Sequence, residues 1–205
     1  NQAKRYINIA VQDIALGFDY KMRWLERRAF IRTHAPYTTG TVSVSIGGTA
    51  VTGVSTLWAT ANDYAENNAR TTGKMTISGG SDIYDVTTVT SDTAIVINPR
   101  YVATAAASGA AYNYFEPEYA LAADFLRPVD VRSFTDAYDL PIISRAEFRR
   151  RYPRPNISGR PRVACIQDLA FAASTTPVKR IIFYPYPDTT YILPYNYVSS
   201  ALAVT

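Results

Sequence analysis

Apolar and polar residues alternate along much of the stretch from Tyr37 to Glu116, the pattern of short half-buried β-strands. Val42, Val44 and Ile46 fall on one side of the first run, with small hydroxyl residues on the other. Gly47-Gly48 is a hairpin signal, and Thr49 to Gly53 reads as the returning strand. Further runs follow at Lys74–Ile77, Ile83–Val89, Ala94–Ile97 and Ala111–Phe115. Each is bounded by Gly, Ser, Asp, Asn or Pro, and the spacing predicts a small antiparallel barrel or sandwich. Between them, Asn62 to Ala69 reads as a short helix or exposed loop. The small residues Ala103 to Ala110 read as a loop tip or a connection lying flat against a neighbour.

The flanks read differently. Tyr6, Ile7, Ile9, Ala10, Ile14 and Ala15 recur at helical spacing, which predicts an amphipathic helix from Ala3 to Leu16 stopped near Gly17. A further turn or two is expected over Phe18 to Leu25, then a strand over Arg27 to Thr33, with His34 in the loop before the break at Pro36. Glu118 to Leu126 reads as a turn and helix start, and Val129 to Phe134 as a strand. Ser144-Arg145-Ala146-Glu147 has the form of a capping box, predicting a helix from Arg145 to Tyr152 that packs through Ala146 and Phe148. Strands over Arg162–Gln167 and Arg180–Tyr184 are expected to be neighbours. More strand follows over Thr190–Leu193 and Tyr195–Val198, and Pro185 and Pro187 favour a sheet edge. Together these elements predict an α+β fold: N-terminal and central helices with an inserted antiparallel β-barrel or sandwich and further C-terminal strands. Residues 1–36 and 118–205 would form a helical and mixed body, with 37–117 as the inserted β domain.

Composition narrows the function. A chain of 205 residues can bury a proper core. Its 16 Tyr, against 8 Phe and 2 Trp, suggest contact surface completed on assembly, or simply a strand-rich chain. A single Cys165 excludes an intrachain disulfide framework and a cysteine-rich zinc site, and a single His34 argues against a histidine metal cluster. No apolar run is long enough to cross a bilayer, and no signal-peptide core is present, so a soluble protein made in a reducing compartment is expected. The chain starts at Asn1 without an initiator Met and ends at Thr205 with apolar residues still running, which predicts a longer gene product.

Charge is unevenly placed. Residues 1–36 hold 7 basic against 3 acidic side chains, residues 37–117 hold 3 against 6, and residues 127–180 hold 11 against 5. The β block therefore lacks the basic stripe of a nucleic-acid reader, and basic character belongs to its flanks. Arg145, Arg149, Arg150, Arg151, Arg154, Arg160 and Arg162 form the one strong cluster. It reads as a surface for phosphates or acidic protein partners, or as a solvated helix face. Asp82, Asp85 and Asp92 lack the dense alternating oxygens of a calcium loop and read as turn residues. Cys165 in a strand reads as core, with no histidine dyad to activate it. Asp124, Asp136, Asp139, Glu147 and Asp168 are too scattered to nominate a catalytic pair, so no enzyme activity and no cofactor are expected.

Four features, in order, resemble the head-to-tail adaptors of tailed bacteriophages, of the tail tubular protein A and connector kind. These are the N-terminal helix leading into Ala35-Pro36-Tyr37-Thr38-Thr39-Gly40-Thr41-Val42-Ser43-Val44, then Val51-Thr52-Gly53 with Trp58, then Glu118-Tyr119-Ala120-Leu121 with Asp124-Phe125, and last Tyr184-Pro185-Tyr186-Pro187-Asp188 followed by Tyr191. Ala122 departs from the Pro common there in related sequences. The resemblance implies a structural virion protein at the head-tail junction, made in the host bacterial cytoplasm. It would form a ring of about twelve copies between a portal protein and a tail nozzle or tube protein, with genomic DNA passing through the lumen. On that reading Arg145, Arg149, Arg150, Arg151 and Arg154, together with Tyr184, Tyr186, Tyr191, Tyr195 and Tyr197, are the expected interface residues. Dense arginine contacts to phosphate in a lumen would add salt-dependent drag, so the cluster is placed at subunit or portal interfaces. The alternative is a carbohydrate- or surface-binding β module of a phage tail, using exposed aromatics of the β block.

Overall fold

Inward-pointing Val42 and Val44 alternate with outward-pointing Thr41 and Ser43 in the first strand of a curled antiparallel sheet. The protein is described by a computed structural model over residues 2–17, 25–129, 140–153, 156–169 and 178–200. Within these, helix α1 spans Gln2–Gly17 and strand β1 Glu26–Arg32. Strands β2 (Thr41–Val44), β3 (Ala50–Val54), β4 (Lys74–Ile77), β5 (Tyr84–Ser91), β6 (Ala94–Asn98), β7 (Ala107–Ala110) and β8 (Tyr112–Phe115) build the curled sheet in the order β7-β2-β3-β6-β5-β4-β8. Its two edge strands are separated in sequence only by Ala111, whose carbonyl accepts from Ser78 N at 2.8 Å. The sheet therefore rolls into a half-barrel with both edges brought round to one segment.

The half-barrel closes over Val42, Val51, Trp58, Met75, Val86, Ile95, Ile97 and Tyr112. Trp58 is fully buried, meets Tyr112 edge-on at 5.7 Å, and donates its Nε1–H to the Tyr112 hydroxyl at 3.0 Å. That hydroxyl donates in turn to the Thr39 carbonyl at 2.7 Å, so the polar atom of each ring is satisfied inside an apolar core. Gly73 is required here by space: a Cβ would stand 2.1 Å from the Tyr114 ring. Gly47, at φ +69, makes the turn between β2 and β3.

Two three-stranded antiparallel sheets build the rest. One has the order β1-β13-β10, with β10 at Phe125–Pro128 and β13 at Ile192–Ser199. The other has the order β11-β12-β9, with β9 at Glu118–Ala120, β11 at Val163–Leu169 and β12 at Val178–Tyr184. Ile31, Tyr119, Leu121, Leu140, Ile181, Phe183, Leu193 and Tyr195 belong to the core cluster shared by these sheets. Helix α2, Arg145–Arg151, lies beside β11 and buries Phe148. Ser144 caps it by accepting from Glu147 N at 3.3 Å, as the capping-box sequence predicts. Ala146, expected to pack, is exposed.

The α+β expectation is overturned. The chain is mostly β, with thirteen strands and two helices among the described residues, and the one central helix is a seven-residue piece. The misreading has a physical source in alanine-rich segments. Glu118 to Leu126, read as a helix start, instead supplies β9 and the beginning of β10. Pairing with β12 and burial of Tyr119 outweigh the helix propensity of Ala120, Leu121, Ala122 and Ala123. The last four residues of the small-residue run Ala103 to Ala110 likewise form β7 against β2. Asn62 to Ala69 is a turn closed by Asn62 N donating to Glu66 O at 2.8 Å. The proline reading also changes, since β12 lies between two neighbours and β13 runs on through Pro194, where β1 alone pairs it. The readings over Phe18 to Trp24 and Asp130 to Phe134 lie outside the described residues.

Trp58→Ala removes the ring at the centre of the half-barrel and a donor to Tyr112, and is expected to cost about 3–5 kcal/mol of stability in urea unfolding. A loss below about 1 kcal/mol would contradict this packing.

Candidate functional site

The connection from the half-barrel to the body sheets runs through Phe115, Glu116, Pro117 and Glu118, and both of its carboxylates meet half-barrel cations. Glu116 is 4% exposed; its Oε1 accepts from Arg70 Nε at 2.7 Å and from the Tyr114 hydroxyl at 2.5 Å. A second arm of Arg70 donates to Glu66 at 2.8 Å, and Glu66 also receives Arg32 and, at 3.1 Å, Nε2 of His34. The His34 ring stacks on Tyr119, whose hydroxyl accepts from His34 N at 3.0 Å. Residues from the end of β1, the 62–70 turns and the connecting segment thus share one charge network at the seam between the two cores.

Burial, with the Arg70 charge next in importance, lowers the affinity of His34 for a proton, against the pull of Glu116 and Glu66. Burial works against ionisation of Glu66, yet the hydrogen bond from Arg32 and the charges of His34 and Arg70 hold its pKa below the ordinary value. Burial also drives the Tyr114 and Tyr119 hydroxyls far above their usual range, with Glu116 adding to both.

On another side of the connection lies a cleft of about 860 Å³ between the half-barrel and the body. Lys74, Ile83, Asp85 and Val86 line the half-barrel wall, and Arg145, Phe148, Arg149 and Tyr152 line the wall formed by α2 and its exit. Glu118, Cys165, Gln167 and Arg180 complete the lining. Lys74 Nζ reaches Asp85 at 2.6 Å and Glu118 at 3.5 Å. Burial alone would lower the Lys74 pKa, but Glu118 and Asp85 raise it, so the ammonium stays charged. Gln167 Nε2 stands 3.5 Å from the other Glu118 oxygen. Helix α2 with its C-terminal cap residue Tyr152 carries three pairs at the four-residue spacing: Arg145 with Arg149, Glu147 with Arg151 at 2.6 Å, and Phe148 with Tyr152 at 5.5 Å between ring centres.

The predicted interface residues fall into separate places. Arg145 and Arg149 line the cleft, Arg150 is exposed elsewhere on α2, Arg151 pairs with Glu147, and Arg154 lies outside the described residues. Tyr186, Tyr195 and Tyr197 are buried within the chain. Tyr186 stacks on Phe115 at 4.1 Å and accepts from Asn113 at 3.0 Å; Tyr195 accepts from Ala122 N at 2.9 Å; Tyr197 donates to Asp124 at 2.8 Å. Burial and the Asp124 contact push the Tyr197 hydroxyl up to about 12. Tyr184 is half-buried against Tyr152 at 3.9 Å, and half-buried Tyr191 donates to Asp188 at 2.8 Å.

Large apolar side chains are instead exposed at other positions. Tyr6, Ile7 and Ile9 stand out from α1, and Phe30 and Ile192 stand out from the β1-β13 pair. The 3.6-residue pattern of α1 signalled its face; nothing in the local pattern signalled the seam charges, which meet across 46 residues of sequence in the case of Arg70 and Glu116.

Among the described residues no group of three His, Cys, Asp or Glu side chains is placed to hold a metal, and no helix is long and apolar enough to cross a membrane. Comparisons with known protein families, curated proteins and solved structures found no match.

The seam predicts an acid response. The folded state holds His34 below its ordinary value of 6.5, so its contribution to stability is present above 6.5 and is lost as pH falls below it. Glu66, held below 4.5, loses its contribution in the same direction at lower pH. The melting temperature should decline on acidification below 6.5. His34→Gln should flatten the first part of the decline and leave the part below 4.5 in place. An equal slope in the variant would contradict the assignment.

Proposed function

We propose that this chain is a structural subunit of a phage-type head-to-tail adaptor, a closed ring of about twelve copies between a portal protein and a tail nozzle or tube protein. DNA passes through the lumen without sequence-specific reading, the virion vertex is the place of action, and the subunit works by shape and contact, without catalysis. The observation that carries this reading is α1: a sixteen-residue helix bearing exposed Tyr6, Ile7 and Ile9. A helix of that length is marginal in water on its own, and its apolar face gains most when another chain covers it. Exposed Phe30 and Ile192 on β1 and β13 offer a second apolar area at a distinct site, as a ring requires of subunits that use different patches on their two sides. The exposed arginines of α2 add charge suited to an acidic neighbour.

A glycan-binding module would need aromatic platforms on the half-barrel. Trp58, Tyr84, Tyr101, Tyr112 and Tyr114 are buried there, and Tyr64 is the large exposed aromatic among its described residues. The adaptor reading is therefore preferred.

Native mass measurement of the purified chain, alone and mixed with candidate portal rings, tests the proposal. Ring-sized assemblies are expected, and Arg149→Ala/Arg150→Ala/Arg151→Ala should reduce their yield severalfold while the monomer stays folded. Only monomer under every mixture, or undiminished assembly with altered DNA ejection in the variant, would contradict it.

A further inference from the structure

The cleft beside α2 falls within the roughly 300–1,000 Å³ range of ligand pockets. We propose that it is a recognition site for a short extended peptide segment of a partner protein, with two acidic residues flanking an apolar one. This rests on reading the chain as an assembly protein, and it assigns the chemistry by which a partner is held.

Charge is the first argument. Four cations, Lys74, Arg145, Arg149 and Arg180, line the cleft against two carboxylates, Asp85 and Glu118. Lys74 engages both of those carboxylates, so the acidic groups of the cleft are satisfied on the half-barrel side. Across from them, Arg145 and Arg149 are exposed and, among the described residues, form no ion pair with a carboxylate. The acidic residue of α2, Glu147, is engaged by Arg151 at 2.6 Å.

Spacing is the second. Positions four apart on a helix rise about 6 Å along its axis, and alternate residues of an extended peptide are about 6.6 Å apart. Two guanidinium forks at Arg145 and Arg149 therefore match acidic side chains at alternate positions of a strand laid along α2. The intervening residue of such a strand points the other way. There it meets the wall containing Ile83, while Phe148 and Tyr152 give the arginine wall its own apolar floor.

These walls also distinguish the class of ligand. Free phosphate would use the arginines and leave the apolar lining wet. A nucleic-acid strand would bring further phosphates towards Asp85 and Glu118, where like charge opposes them. An acid-apolar-acid peptide satisfies both walls.

The test uses the full chain and the peptide acetyl-Glu-Phe-Glu-Leu-Glu-amide, with its Lys-for-Glu counterpart as control, by calorimetry at low and moderate salt. Binding of the acidic peptide alone, weakened by salt, is expected. Arg145→Ala/Arg149→Ala should lower the affinity at least tenfold, Arg145→Lys/Arg149→Lys should lower it less, and Arg127→Ala, on β10 outside the cleft, should leave it unchanged. Unaltered melting temperatures establish that the variants fold. Absent peptide binding, binding indifferent to the double alanine variant, or full displacement by equimolar phosphate or a single-stranded oligonucleotide would overturn the proposal. If peptide binds as described while no ring or portal assembly ever forms, the adaptor reading fails and the cleft stands. If assemblies form and the peptide does not bind, the cleft assignment fails alone.

Discussion

A buried carboxylate governs how this molecule is put together. Glu116, 4% exposed, sits where the half-barrel passes into the body, and its charge is met by Arg70 and the Tyr114 hydroxyl. Removing a charge from water costs several kcal/mol, and that cost is offset only where the partners hold close geometry. The arrangement therefore works as a constraint: the 62–70 turns, the end of β8 and the connecting segment must stand in one relation for the charge to be tolerated. Glu66, Arg32 and His34 extend the same network to the end of β1. Phe115, next to Glu116, turns to the other side and stacks on Tyr186, so apolar and ionic contacts bridge the same seam.

That seam sets the walls of the cleft. Glu118 follows Glu116 by two residues and anchors Lys74, while α2 approaches from the β11 side with Arg145 and Arg149. A recognition site made from two hydrophobic units keeps its shape only if their relation is held, and the seam charges supply that holding. Exposed large apolar residues lie elsewhere, among them Tyr6, Ile7 and Ile9 on α1 and Phe30 and Ile192 on the β1-β13 pair. The chain thus separates what it keeps inside, most of its tyrosines among the described residues and its paired charges, from the surfaces it presents.

Much of the half-barrel was legible because half-buried strands write their period directly into the sequence. Lys74–Ile77 coincides with β4 residue for residue, and the Gly47-Gly48 hairpin and the Ser144 cap fall where local chemistry places them. The alanine-rich segments failed for the opposite reason. Ala120 to Ala123 and Ala107 to Ala110 carry no periodic contrast, and pairing of Ala120 with β12 and of Ala107 and Ala110 with β2, both distant in sequence, decided the outcome. The tyrosines were ambiguous in principle, since a ring with one hydroxyl suits an interface or a core with a single polar partner. Asp124, Ala122 N and Asn113 supplied that partner to Tyr197, Tyr195 and Tyr186. Arg145 and Arg149 were visible as charge; that they line a cleft depended on β4, β5 and β11, which sequence proximity to α2 does not reveal.

The most direct test of the seam's governing role is a double-mutant cycle on Arg70→Met and Glu116→Gln, with stability read from urea unfolding. Each single change should be strongly destabilising, and the pair should cost less than the sum by about 2–3 kcal/mol, the mark of two groups acting as one. Additive losses, agreeing within about 0.5 kcal/mol, would show that the buried carboxylate does not hold the two cores together.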